Sequence, residues 1–292
     1  MDWRQQKQLA RVAAMEAEKT RRLAKVPSIA PIDPFDIASQ RGCEVRFLSL
    51  PSLEGMYSPE PKPIVVIGSE RPAGRRRFTC AHELGHHIFK HGMQVEDLNA
   101  QKHKGSRCPN EFLVDTFAGF LLMSQLAVVR AFNDRQISIA SIQPEQIYKL
   151  ANFFGVGYAT LLNHLTYSLQ LLPEEQAQKL LKIRMAKLVK ERYGASANNE
   201  VVIVDFNWLF RSVDLDVGDM LVLPQEAEVE EKMQLQFLRE IDEQNVYIAV
   251  APGLTRSACL DRNWAVNVRV ARKNYEGLAR FRYLEEVEAD DD

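Results

Sequence analysis

The run RRRFTCAHELGHHIFKHG, Arg75 to Gly92, carries four of the six histidines of the 292-residue chain, with a glutamate among them. Within HELGH, His82 and His86 stand four residues apart, so on a helix their imidazoles lie one turn apart on one face and can reach a single ion. Glu83 is rotated by about 100° from His82 and flanks the pair. This is the pattern of an HExxH zinc site, with two imidazole ligands and a carboxylate placed to take a proton from water. His87 and His91 are also four apart, but they face away from His82 and are expected at the surface or the helix end, not on the metal.

Two histidines do not complete a site, because a catalytic zinc takes three protein ligands and keeps one position open. The longer HExxHxxGxxH pattern is not met: Phe89 stands where the glycine belongs and Gly92 where the third histidine belongs. The other solution is a carboxylate from a following helix. EFLVD offers Glu111 with Asp115 one turn later, like charges that repel at that spacing unless a cation compensates. Glu111 is the expected third ligand, and Asp115 is expected to accept the free N–H of a ligating histidine and fix its tautomer. A competing role for Glu111, opposing the dipole at its helix N-terminus after Pro109, stays open. Glu96 and Asp97 are the fallback ligands. The chemistry that follows is hydrolysis of an amide, above all a peptide, with Glu83 as general base.

These helices need a frame. A short helix ending near Gly42 leads into EVRFLSL and PIVVIGS, which alternate like strands, the second able to pair with a neighbour and leave an edge. A turn at RPAG precedes the histidine helix, a polar loop runs from about Glu96 to Cys108, and EFLVDTFAGFLLM reads as a mostly buried helix. The segment up to about Lys25, with Leu9, Val12 and Ala13 on one face, reads as a solvated surface helix. Beyond Gln125 the chain becomes helical, and PEQIYKLANFFGVGYATLLNHL breaks at Gly155-Val156-Gly157 as a helix-turn-helix pattern. PEEQAQKLLKIRMAKLVKERYG reads as one long basic amphipathic helix stopped by Gly194, and ASANN as a linker. The remainder, with VVIVDF, NVYIAVAP and WAVNVRVARK, is strand-rich and expected to form a mixed α/β unit.

The fold class is therefore α+β and multidomain, with expected units at 1–127, 128–194 and 195–292. A hydrophobic content of 46% suffices for separate cores, and the net charge of −2 is too small to point to a partner. No signal-peptide core and no run of about 18 apolar residues is evident, so a cytoplasmic location with no membrane partner is expected. The cysteines, Cys43, Cys80, Cys108 and Cys259, form no CxxC pair and are expected to be reduced and mostly buried.

The histidine run, the PIVVIGS strand before it and EFLVDTFAGFLLMS after it together resemble the ImmA/IrrE family of zinc metallopeptidases over roughly residues 30 to 125. The three-part layout is similar to that of the family's radiation-response regulators. The resemblance implies a thermolysin-like peptidase domain and Zn2+ held by His82, His86 and Glu111, with Glu83 as the base. It also implies a helix-turn-helix-like domain and a GAF-like C-terminal domain that senses a signalling ligand. The activity implied is cleavage of a cognate helix-turn-helix repressor, which switches on the response to DNA damage, radiation and desiccation. The family's ExxANxFA reads EFLVDTFA here, with Val114 and Asp115 in the AN positions.

A DNA-binding transcription regulator with a merely structural zinc site is the alternative. Its recognition helix would be YATLLNHLTYSL, where Tyr158, Thr160, Asn163 and His164 could touch bases. That stretch has no Lys or Arg for phosphate or guanine contacts, so DNA binding is expected to be weak and indifferent to sequence. Arg75, Arg76 and Arg77 read either as a dock for an acidic partner or as solvated charges. An inert scaffold ranks last, because it would need a decayed HExxH and the motif is intact.

Overall fold

The structure is a computed structural model that describes residues 1–97, 108–230 and 233–284. Helix α1 (Trp3–Leu23) is capped by Asp2, whose side chain accepts from the Gln5 amide at 2.8 Å. Helix α2 (Pro34–Gln40) starts with Asp33 as its cap and Pro34 in the first turn. Strands β1 (Glu44–Leu48), β2 (Leu53–Ser58) and β3 (Ile64–Gly68) follow, then α3 (Ala73–Phe89), which carries HELGH, a short strand β4 (Gln94–Asp97), and α4 (Pro109–Leu122). Most of the expected polar loop, residues 98–107, lies outside the described residues.

Within this sheet β3 is central rather than marginal: it pairs in parallel with β1 and antiparallel with β2, and β2 pairs in turn with β4. Its burial explains the place, since Val65, Val66, Ile67 and Gly68 are all buried and such a run needs a neighbour on each side. The edge falls to β4, beside the HELGH helix.

Helix α1 is not the solvated surface helix expected. Ala13, Ala17, Thr20 and Arg21 are buried, and the helix packs along α4, while Val12 and Met15 point outward. Small side chains allow the close approach. The buried Arg21 guanidinium donates to the Leu121 carbonyl at 2.6 Å, a partner that the end of α4 lacks within the helix, and also to the Ala30 carbonyl.

Helices α5 (Gln125–Asp134), α6 (Pro144–Phe154) and α7 (Tyr158–Asn163) come next, with Gly155 in the left-handed conformation that ends α6. The run Pro109–Asp134 is long and apolar enough to cross a membrane by length and composition, but 61% of its most apolar window is buried inside the protein. It is broken between α4 and α5 by the extended residues Met123 and Ser124.

The expected long basic helix is two: α8 (Glu174–Leu181) and α9 (Met185–Tyr193). Ala177 and Leu180 are buried in α8, and Met185, Val189 and Tyr193 in α9. A continuous helix would carry the first stripe on to Arg184 and Lys187. At about 100° per residue, burying Met185 instead requires the chain to turn, which it does at Arg184, ψ 63°.

The C-terminal part corrects the mixed α/β expectation, since no α-helix occurs among the described residues after Tyr193. Strands β5 (Val201–Ile203), β6 (Val213–Asp216), β7 (Met220–Pro224), β8 (Glu228–Val229), β9 (Leu235–Ile241), β10 (Gln244–Ala249), β11 (Gly253–Cys259) and β12 (Trp264–Ala271) build two sheets, ordered β5-β7-β10-β9 and β6-β12-β11-β8. The reason is the period: Thr255, Ser257 and Cys259 point inward, as do Trp264, Val266 and Val268, in a strict alternation that leaves no helical stripe.

This part does not stand away from the rest. Strand β13 (Gly277–Leu278) pairs with β1, and one continuous hydrophobic cluster runs from Ala13 to Ala279. Arg76 and Arg77, one turn before HELGH, pair with Asp216 at 2.5 Å and with Asp214. Asp214 also accepts from Arg269 at 2.5 Å and from the Tyr283 hydroxyl at 2.7 Å. Arg75 pairs with Glu54 at 2.5 Å. Arg76 and Arg77 are thus buried and tie the first turns of α3 to β6, whereas Arg75 stays exposed beside Glu54 of β2.

Candidate metal centre

Helix α3 buries His82, Glu83 and His86 almost completely, at 3%, 0% and 1% exposure. Its neighbours leave room for little else. A side chain at Gly85 would place its Cβ 3.0 Å from the Cβ of Val114, so the glycine of HELGH sets how closely α4 approaches. On the other side, a Cβ at Gly55 of β2 would lie 2.7 Å from Glu83 Oε1.

That close packing brings the expected residues together. The Nε2 atoms of His82 and His86 lie 3.0 Å apart, and Glu111, in the first turn of α4, places Oε2 3.5 Å from His82 Nε2. The ligand atoms of these three residues all lie within 4.8 Å of one another. Four ligands around a tetrahedral ion with bonds of about 2.0–2.1 Å stand roughly 3.3 Å apart, so the trio is close to what one zinc ion requires. One turn along α4, Asp115 Oδ1 sits 3.0 Å from the other ring nitrogen of His82, Nδ1.

Glu96 of the edge strand also reaches this centre, with Oε1 3.0 Å from His82 Nε2. It forms a second potential ligand group with His82 and Glu83, on the edge-strand side of the histidine. The Asp97 side chain lies outside the described residues. His87 faces away, as expected, and meets the Tyr57 hydroxyl through Nδ1 at 3.0 Å. His91 does not: its Nδ1 lies 3.0 Å from Nδ1 of His86. The four-residue spacing between His87 and His91 concealed this contact, because α3 ends at Phe89 and the chain reverses at Lys90 in the left-handed conformation.

The electrostatics follow from burial and from three carboxylates. Burial opposes a charge on His82, but hydrogen bonds with Asp115, Glu111 and Glu96 outweigh it and hold its pKa well above the usual imidazole value. Burial, with His82 beside it, pushes His86 down to about 4. Burial pushes the Glu83 carboxyl up to about 8, with Glu96 and Glu111 adding to the effect against His82.

Both Glu83 carboxylate oxygens are buried without a hydrogen-bond partner among the described residues. Buried acceptors are nearly always satisfied, so a carboxylate of this kind beside convergent imidazoles fits a site built around a cation and water. The donor set of two imidazole nitrogens and one carboxylate oxygen is one that zinc accepts.

Of the four side chains that could have read DNA bases, His164 is buried in a π turn (His164–Ser168) that continues α7, with Nε2 2.8 Å from the Met123 carbonyl. Tyr158 spends its hydroxyl on the Leu180 carbonyl at 3.3 Å. Thr160 is half-buried and Asn163 is exposed. Among the thiols, Cys43, Cys80 and Cys259 are buried, Cys108 is exposed, and all four are free.

Residues 38–166 match the family model of a peptidase family described as the IrrE N-terminal-like domain. The match runs from the end of α2 into the π turn after α7, so it takes in helices α3 to α7 and leaves out the C-terminal sheets. It crosses the expected boundary at residue 127. No curated protein matches the chain significantly by sequence.

Proposed function

Because the chain belongs, through residues 38–166, to the ImmA/IrrE family of metallopeptidases, we propose that it is a zinc-dependent endopeptidase with His82, His86 and Glu111 as ligands and Glu83 as the general base. One observation carries the reading: a fully buried glutamate whose two oxygens have no partner among the described residues directly follows a histidine of the metal-capable trio.

Zinc, when bound, supplies Lewis acidity, polarising the scissile carbonyl and lowering the pKa of water to about 7. The remaining work falls to side chains. Asp115 accepts the Nδ1–H of His82, which leaves Nε2 unprotonated towards the ion and fixes the ring. Glu83 takes a proton from the attacking water as its oxygen bonds to the carbonyl carbon. It returns that proton to the leaving nitrogen as the C–N bond breaks. The packing of Glu83 against Gly55 holds the carboxylate in place for this role.

The protein substrate is a helix-turn-helix repressor of the same cell, cut in an extended interdomain segment in the cytoplasm, and its loss switches on a DNA-damage, radiation and desiccation response. The C-terminal part is the seat of a signalling ligand. The alternative, a DNA-binding regulator with a structural zinc, loses ground because His164 is buried and the helix holding it carries no cation.

The test is Glu83→Gln, which preserves size and all three ligands. Bound zinc is expected to survive while cleavage of the repressor falls by at least about 10²-fold, and a chelator should abolish cleavage by the wild type. Wild-type rates from the Glu83→Gln protein, or a wild type that cuts nothing yet binds an operator tightly, would replace this reading with the alternative.

A further inference from the structure

Each imidazole of HELGH turns one nitrogen towards the centre and the other outward. For His82 the outward Nδ1 meets a carboxylate, Asp115, at 3.0 Å. For His86 the outward Nδ1 meets another imidazole, His91, also at 3.0 Å. We infer that His91 is a positioning residue of the metal site: its Nδ1 accepts the Nδ1–H of His86 and fixes the tautomer that presents Nε2 to the ion. The inference rests on the metallopeptidase reading above.

The chain is shaped to deliver this contact. Helix α3 ends in a left-handed Lys90, φ 57°, and the His91 amide donates back to the His86 carbonyl at 3.0 Å. That reversal folds His91 under the residue five positions before it, where neither a straight helix nor an extended chain would bring it. The ring is then held on its other side by Phe89, stacked at 5.9 Å with an interplanar angle of 23°. Phe89 is wedged in turn against Phe117 of α4 at 5.7 Å. Ring and backbone are thus both fixed, and only the acceptor nitrogen is directed at His86.

The roles within the pair are settled by proton count. If Nε2 of His86 offers its lone pair to zinc, the neutral ring carries its hydrogen on Nδ1 and must donate outward. His91 must then present a bare Nδ1 and keep its own hydrogen on Nε2. The two ligands consequently differ in kind, since a charged partner makes His82 the stronger donor to the ion, whereas a neutral partner orients His86 without adding charge.

The experiment is zinc affinity of the full chain, measured by competition with a chromogenic chelator, for wild type, His91→Phe and His91→Asn. Phenylalanine keeps the ring stacked on Phe89 and removes the acceptor; asparagine restores an acceptor oxygen. His91→Phe is expected to weaken zinc binding by about 10–100-fold, and His91→Asn to recover most of it, with the melting temperatures of the metal-free proteins unchanged. Nitrogen-15 NMR of the zinc-loaded wild type is expected to show His86 as the Nδ1–H tautomer and His91 as the Nε2–H tautomer. This reading decides the matter even if His91→Phe does not fold. Wild-type affinity in a folded His91→Phe protein, or a hydrogen on His91 Nδ1, overturns the inference alone. A wild type that takes up no zinc overturns the metallopeptidase reading, and this inference with it.

Discussion

Asp115 Oδ1 stands 3.0 Å from Nδ1 of His82, across the groove where Val114 packs on Gly85. The contact ties the position of α4 to the proposed metal site, because the helix that carries Glu111, the proposed third ligand, also places Asp115 against His82. Asp115→Ala is expected to weaken zinc binding by about 10–100-fold while leaving all three proposed ligands in place, and Asp115→Asn to weaken it less, since an acceptor oxygen remains. Metal content after dialysis against graded chelator separates these outcomes. Equal retention by all three proteins would show that the aspartate does not orient the ligand.

Gly55 offers a way to perturb the proposed base without touching the proposed ligands. A methyl group there would stand 2.7 Å from Glu83 Oε1 and would also strike Thr79, so Gly55→Ala must displace the carboxylate or shift β2. Zinc content is expected to stay at the wild-type level while turnover falls by about 10²-fold, the scale of cost for misplacing a reacting group by an ångström. Paired metal analysis and peptidase assay check it, and unchanged turnover would mean that Glu83 need not sit where the structure holds it.

His164 makes a pH prediction. Burial pushes its pKa down to about 4, with only the Met123 carbonyl acting the other way. The unfolded chain, with a histidine near 6.5, binds the proton more readily between those values. The contribution to stability is therefore complete above pH of about 6.5 and is lost as pH falls towards 4, amounting to about 3 kcal/mol in all. Urea midpoints measured from pH 7 to 4 are expected to decline more steeply for wild type than for His164→Gln. Parallel curves would place the acid-sensitive group elsewhere.

How much of this was legible in the sequence depended on the distance between partners. The i, i+4 spacing of His82 and His86 and the one-turn spacing of Glu111 and Asp115 are local, and helical geometry turns them directly into faces. The break at Gly155 and the stop at Gly194 were legible for the same reason, as both are left-handed glycines after a periodic run. Much of what stayed hidden was decided by groups far apart in the chain. Arg77 and Asp214 are 137 residues apart, and no local pattern tells a buried arginine with such a partner from a solvated one. Glu96 could be read only as a fallback ligand, because its approach to His82 depends on β4 pairing with β2. His91 was hidden by a reversal after Phe89 that the helical period does not predict, although a histidine five residues past HELGH, beyond a cationic residue at the helix end, was its only trace.

The last prediction concerns the C-terminal part, which the sequence presents as a separable unit after ASANN. Strand β13 completes the sheet beside β1, and Asp214 and Asp216 hold the buried Arg77 and Arg76 at the start of α3. Arg77, Arg269 and Arg211 surround Asp214 and hold its carboxyl far below the usual range despite burial. Removing one partner of a buried pair costs about 3–5 kcal/mol, because the other charge is left without compensation. A chain ending at Ala197 would leave two such arginines, a loss comparable with the whole ~5–15 kcal/mol that keeps a domain folded. It is expected to lose cooperative thermal unfolding and stoichiometric zinc binding together, and full-length Asp214→Asn to show a smaller loss of the same sign. Calorimetry with metal analysis on the three proteins decides it. If the truncated chain melted cooperatively with a full zinc complement, residues 1–197 would be an independent peptidase, and the arginine–aspartate contacts would be a docking surface instead of part of its core.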